Sequence, residues 1–353
     1  MDLWHDGSML RLAWSIGSWW AVGVLVSSCT QAGGDDAGLD AHRVGLDAVV
    51  EDAGVVAADD AASVGEIDAD RDAGARAEPA CAGSPQPTRL RIVNACDEPI
   101  WIERSDNVPD APNVRLGPGE CHDVPIPDAA LASTRFWAKT GCAPDGTDCA
   151  IGQSVAPCPA GGCHPPIESK LEVTWADPIA CPASGAPADC VTWYNASQVD
   201  GYTLPFRIVP NGPGADEPGC VVSDCGALDL AECPSDEDLS EGGAYPELAH
   251  VDLRVFDPRD PSRVIGCMAP CKRLNYPAPW GLGAPETTSP TVDFCCPTPP
   301  ITPEACTAGP VARTDYVTRL QTMCPSVYSY AYDDADGLHT CPAQTRFELR
   351  FCP

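Results

Sequence analysis

The octapeptide "RFELRFCP" alternates apolar and polar positions, with Phe347, Leu349 and Phe351 on one side and Arg346, Glu348 and Arg350 on the other. A period of two marks a strand with one buried face. The same period runs through Arg89–Val93, where Leu90 and Ile92 oppose Arg89 and Arg91. It recurs in "LEVTW" (Leu171–Trp175) and "HVDLRVF" (His250–Phe256). Helical spacing occurs only over Thr314–Cys324, with Val317, Leu320 and Cys324 on one face. Clusters of Pro, Gly, Asn and Asp separate these runs. The pattern predicts an all-β chain, an antiparallel sandwich or barrel with long excursions between its strands.

Near the N-terminus the pattern is different. "LAWSIGSWWAVGVL" is one apolar run, short for a membrane span, preceded by Arg11 and followed by small residues. It reads as an export signal over residues 1–29. Val26-Ser27-Ser28-Cys29 resembles a bacterial lipobox, which makes Cys29 a lipidation site, although an ordinary cleaved signal stays open. The acidic residues before Met9 fit a signal poorly, so Met1 and Met9 both stand as starts. Thr30 after Cys29 favours anchoring at the bacterial outer membrane or cell surface. Residues 30–80 hold no aromatic residue and no Cys, and are rich in Ala, Asp and Gly; such a segment cannot bury enough apolar area to fold, and is expected to be a disordered acidic linker.

Composition narrows the partners. A net charge of −30 excludes nucleic acid, whose phosphates require clustered Lys and Arg, and disfavours direct adhesion to anionic lipid. Of the 21 Cys, twenty remain once Cys29 is set aside, an even number suited to a disulfide framework in an exported chain. Cys267-x3-Cys271 and Cys158-x4-Cys163 could each offer a zinc pair, but the spacings are irregular and His is scarce. No metal or cofactor is expected. Asp236-Glu237-Asp238 lacks the regular spacing of a calcium loop. His122 and His164, each beside a Cys, read as bystanders.

"RLRIVNACDEPIWIE", "RFWAKTGC", "VDGYTLPF", "CPSVYSYAYDD" and "HTCPAQTRFELRFCP", in this order, resemble the thaumatin-like proteins over residues 88–353. The resemblance implies a two-sheet antiparallel β-sandwich (about 81–139, 167–226 and 325–353). It also implies a small disulfide-stapled loop domain (140–166) and a disulfide-rich domain (227–324). It pairs Cys96 with Cys352, Cys142 with Cys149, Cys158 with Cys163, Cys220 with Cys341, and Cys225 with Cys324. It also pairs Cys233 with Cys267, Cys271 with Cys295, and Cys296 with Cys306. Four Cys have no counterpart; Cys181 is assigned to Cys190 across a local loop, which leaves Cys81 for Cys121. Two acidic or Pro/Gly-rich insertions, at 234–248 and 275–292, depart from the family pattern.

The family also carries an acidic cleft between sandwich and disulfide-rich domain. Position by position, its Arg falls on Arg135, its Glu on Glu172 after a one-residue shift, and two of its Asp on Asp200 and Asp333. The remaining Asp position is Asn195, which also begins the sequon Asn195-Ala196-Ser197. Paired carboxylates across a groove suit glycoside hydrolysis, with Glu172 as general acid and Asp200 as base or nucleophile. Arg135 and Asp333 would tune charge, and Asn195 could position a hydroxyl but cannot transfer a proton. Trp193, Tyr202 and Phe206 are candidates for stacking on sugar rings. The expectation is a monomeric, membrane-tethered protein that binds β-1,3-glucan. Whether it also hydrolyses glucan, as an antifungal or wall-directed endo-β-1,3-glucanase, or acts as a non-catalytic binding, adhesion or inhibitor module, stays open.

Overall fold

The computed structural model describes residues 81, 83–159, 161–181 and 190–353. The export signal, Cys29 and the linker at 30–80 lie outside the described residues. Fifteen strands are described: β1 (Leu90–Asn94), β2 (Ile100–Arg104), β3 (Val114–Leu116), β4 (Cys121–Val124), β5 (Leu131–Lys139), β6 (Lys170–Trp175), β7 (Val191–Ser197) and β8 (Gly201–Tyr202). They continue with β9 (Phe206–Asn211), β10 (Ser223–Cys225), β11 (Arg254–Asp257), β12 (Asp260–Met268), β13 (Val327–Tyr328), β14 (His339–Pro342) and β15 (Arg346–Phe351). One sheet has the order β10-β9-β15-β1-β4. A second runs β13-β7-β6-β5-β2-β3, with β14 also on β7.

The two sheets share one core, as the alternation requires. Phe347 of β15 meets Trp175 of β6 edge-on, with ring centroids 5.6 Å apart, and Tyr194 of β7 at 4.9 Å. Leu90, Ile92, Leu349 and Phe351 from one sheet and Ile102, Phe136, Leu171 and Val173 from the other complete it. The pairing departs from a purely antiparallel sandwich. β1 lies parallel to β15, and β13 parallel to β7. Arg89 and Arg91 are not solvated as the alternation suggests. Arg91 donates to both oxygens of Asp123 on β4, at 2.8 and 2.9 Å, and Arg89 stacks over Trp175.

The "HVDLRVF" stretch forms a strand only from Arg254 onward. Asp252 accepts from the Arg254 backbone N–H at 3.0 Å and bends the chain first, a local side-chain turn that competes with the ladder. β11 and β12 join β8 in a small third sheet. Short helices fill the rest of residues 227–324: α1 (Pro270–Asn275), α2 (Thr291–Cys295), α3 (Pro303–Thr307) and α4 (Asp315–Met323). One more, α5 (Asp334–Gly337), lies between β13 and β14. Val317 and Leu320 are buried on α4, whose N-terminus Thr314 caps, and Cys324 is buried at its C-cap.

All twenty Cys are placed in ten disulfides, the same pairings that the resemblance and the local assignment give. Ten such links belong to an oxidising compartment outside the cytoplasm. The acidic insertion is less free than its composition suggests. Glu237 accepts from the Asp315 and Tyr316 backbone N–H groups at the start of α4, at 2.9 and 2.8 Å, and Asp236 pairs with His250. Among the described residues, no helix is long and apolar enough to cross a membrane.

Candidate functional site

Strand register brings three of the expected site residues into one row. Arg135 on β5 is opposite Glu172 on β6, and Glu172 is opposite Asn195 on β7. Because Leu171, Val173 and Trp175 face the core, Lys170, Glu172 and Thr174 share the outer face of the sheet. Arg135 Nε lies 2.8 Å from Glu172 Oε1, with the side chains 49% and 27% exposed. This end of the face is open. One step along the sheet, Trp137 and Lys170 are buried, and Trp137 donates to the Gly152 carbonyl of the small loop.

Asp200 comes to this face from the turn between β7 and β8. Lys170 Nζ donates to its Oδ2 at 2.5 Å, and Lys272 Nζ on α1 lies 3.2 Å from its Oδ1. Gly201 makes that approach feasible: its φ is +143°, and a Cβ there would run into the Cys267 carbonyl of β12 and Ile167. The Ala269 backbone N–H donates to the Asp200 carbonyl at 3.0 Å, which fixes the start of α1 beside the turn. Burial pushes the Asp200 carboxyl up, but Lys170 and Lys272 outweigh it and hold the group well below the usual carboxylate range. Asp200 in turn raises Lys272.

Two residues behind Lys170, Glu168 is 1% exposed and its Oε1 has no hydrogen-bond partner among the described residues. Burial pushes its carboxyl up to about 7, with Lys170 opposing and Asp200 reinforcing the rise. Sequence reasoning missed Glu168, Lys170 and Lys272. Lys170 was within reach, since a residue two before Glu172 on a strand shares its face. Nothing in the sequence brings Lys272 to Asp200, because that meeting depends on Gly201 and on how α1 is seated.

The other expected residues are placed differently. Asp333 is only 3% exposed and accepts from both the backbone N–H and the hydroxyl of Ser329, at 3.1 and 2.5 Å. It organises its own turn, and no bond joins it to the Arg135–Glu172 pair. Tyr202 and Phe206 are core residues, so neither can stack on a sugar; Trp193, beside Asn195, remains half-buried on β7. Asn195 Oδ1 is buried with no hydrogen-bond partner among the described residues, and the half-buried residue sits in the middle of β7. The charges that meet here are therefore not an excess of carboxylates. Three cations, Arg135, Lys170 and Lys272, meet two carboxylates, Glu172 and Asp200, where the resemblance implies four carboxylates facing one Arg. Glycoside hydrolysis requires one carboxyl that donates a proton and another that attacks or activates water. Here Asp200 is ionised under two ammonium groups, Glu172 is held by a guanidinium, and the position across from Glu172 is an amide. Such a set hydrogen-bonds hydroxyls readily.

A sequence profile described as the thaumatin family matches residues 94–353. A glucan endo-1,3-beta-glucosidase of Prunus avium is 30% identical over 239 residues, covering 65% of this chain and 74% of the relative. Thaumatin-like protein 1 of Pyrus pyrifolia is 29% identical over 229 residues, covering 63% and 72%. Among solved structures, a laminaripentaose-producing beta-1,3-glucanase in complex with laminaritetraose aligns with a TM-score of 0.42 and 13% identity, covering 76% of this chain and 99% of its own. With the profile spanning well over half of its length, the chain belongs to the thaumatin family.

Proposed function

We propose that this protein binds β-1,3-glucan on the open face at Arg135, Glu172, Asn195 and Trp193, and that it does so without cleaving it. The carrying observation is that both carboxylates reaching this face are already neutralised, Glu172 by Arg135 and Asp200 by Lys170 and Lys272. A fixed carboxylate–guanidinium pair beside a half-buried indole suits sugar hydroxyls and a sugar face at once. The glucan itself is suggested by the name of the Prunus avium relative, which also favours the second reading, hydrolysis with Glu172 as acid and Asp200 as base. The expected result with the full chain is depletion from solution by insoluble β-1,3-glucan, weakened by Arg135→Ala, with no new reducing ends. Release of reducing ends that Glu172→Gln abolishes would establish the hydrolase instead. Binding to a protein and to no glucan would point to an inhibitor or adhesion role.

We further propose that the domain is a monomer displayed on a bacterial surface by a lipid on Cys29 and the linker at 30–80. Incorporation of labelled palmitate, lost in Cys29→Ser, is the expected observation. Its absence leaves a freely secreted protein.

A further inference from the structure

We propose that Lys139 and Asn113 form an intramolecular isopeptide bond, with Glu103 as the proton-transferring residue. The three side chains come from three neighbouring strands of the larger sheet. Lys139 ends β5, Glu103 lies on the intervening β2, and Asn113 immediately precedes β3. Register brings them together, since Trp101 of β2 is opposite Lys139 and Ile102 is opposite Val114. Lys139 Nζ donates to Asn113 Oδ1 and lies 3.2 Å from Glu103 Oε2. Lys139 is 2% exposed and Glu103 is also buried.

The surroundings suit an amide-forming reaction. The buried indoles of Trp101 and Trp137 lie beside these residues on the same strands, with Lys139 and Glu103 buried and Asn113 half-buried. The small loop closes over them at Gly146, whose φ is +79°. A Cβ there would sit 2.7 Å from Trp101 Cδ1 and 3.1 Å from Asn113 Oδ1, so only glycine lets the loop come this close. A buried amine held against a half-buried side-chain amide, with one carboxyl in reach of the amine, has the geometry that makes a slow acyl transfer effectively unimolecular.

The step balances without any further reagent. Glu103 takes a proton from the Lys139 ammonium group, and the freed Nζ attacks Cγ of Asn113. The tetrahedral intermediate collapses as the Cγ–Nδ2 bond breaks. Glu103 returns that proton to the departing nitrogen and then accepts the second proton that Nζ sheds on becoming an amide nitrogen. The nitrogen departs as ammonia and takes up this last proton to leave as ammonium, with Glu103 a carboxylate again. An Nζ–Cγ amide replaces the Asn113 side-chain amide, and nothing is oxidised or reduced. The product ties β5 to β3 across β2, on a sheet whose other covalent ties are all disulfides.

Intact-mass spectrometry of the full chain after reduction and alkylation of its disulfides tests this. The expected wild-type mass is one ammonia below that of the unlinked chain. Fragmentation should show one branched peptide joining the segments around Asn113 and Lys139. Glu103→Gln should restore the unlinked mass, and Lys139→Met should do so whether or not it folds well. A wild-type mass equal to the unlinked chain overturns the proposal. So does an ammonia loss confined to a single unbranched peptide, which would be a cyclised asparagine or terminal glutamine. The wild-type measurement decides the matter even if every variant misfolds.

Discussion

Asp200 carries two ammonium groups, and the consequences of removing it differ from those of removing either lysine. Asp200→Asn leaves Lys170 and Lys272 without their anion, and the loss expected in urea denaturation is about 3–5 kcal/mol. Lys170→Met leaves Asp200 with Lys272, so a smaller loss is expected, roughly 1–3 kcal/mol for charge-assisted hydrogen bonding. Glu168 provides the pH dependence. Its carboxyl rises on folding from an ordinary 4.5 to about 7, so the folded state prefers it protonated. That contribution is fully present below the unfolded value and is lost as pH climbs through the folded one. Between about pH 4.5 and 7 the wild type should therefore lose stability relative to Glu168→Gln, on the order of 3 kcal/mol. Asp200, lowered on folding, has the opposite sign, and its contribution is lost only in strong acid. Parallel urea titrations of wild type and Glu168→Gln across this range measure the difference; equal curves would mean that Glu168 ionises freely. Asn195→Asp is the informative gain of charge, for it sets a carboxyl across from Glu172. Reducing-end release from β-1,3-glucan by this variant, and none by the wild type, is the expected result.

The elements whose side chains alternate without local competition were legible in advance. β15 and β6 are such strands, and α4 is fixed by three apolar residues and a capping Thr. β11 was misread because Asp252 bonds to the backbone two residues on, which a pattern of hydrophobicity does not register. The burial of Arg91 on β1 escaped the pattern for a related reason, since alternation cannot tell a solvated charge from one matched by Asp123 on the next strand. Of the site, Arg135, Glu172 and Asn195 were named through the family resemblance, whereas the register that sets them in one row joins strands far apart in the chain and was not read from the sequence. Lys272 was not named at all, because its place depends on a helix reached through the Cys233–Cys267 and Cys271–Cys295 links. Two substitutions probe how elements are seated. Glu237→Ala removes two backbone caps of α4 and should cost about 1–3 kcal/mol, with faster amide exchange in the first turn of that helix. Gly201→Ala should separate β12 from the Asp200 turn and weaken glucan binding along with stability; unchanged binding would mean that the Lys272 contact is dispensable.

For the molecule as a whole, the ten disulfides differ widely in the length of chain they close. Cys96–Cys352 spans 256 positions and Cys158–Cys163 only five. In the chain-entropy view, removing the first pair should cost about 5 kcal/mol and removing the second only about 2 kcal/mol. Thermal melting of the two double Cys→Ala variants gives the order directly. The parallel pairing of β1 with β15 has a consequence for how the protein is made. In the five-stranded sheet, the strand formed by residues 346–351 sits in the middle, between β9 and β1, so β1 has no central neighbour until those residues have been synthesised. The sheet therefore cannot assemble progressively behind the ribosome, and it stays open until residues 346–351 have emerged. A chain whose disulfides belong to an oxidising compartment gains from such delay: its own topology keeps distant cysteines apart until late.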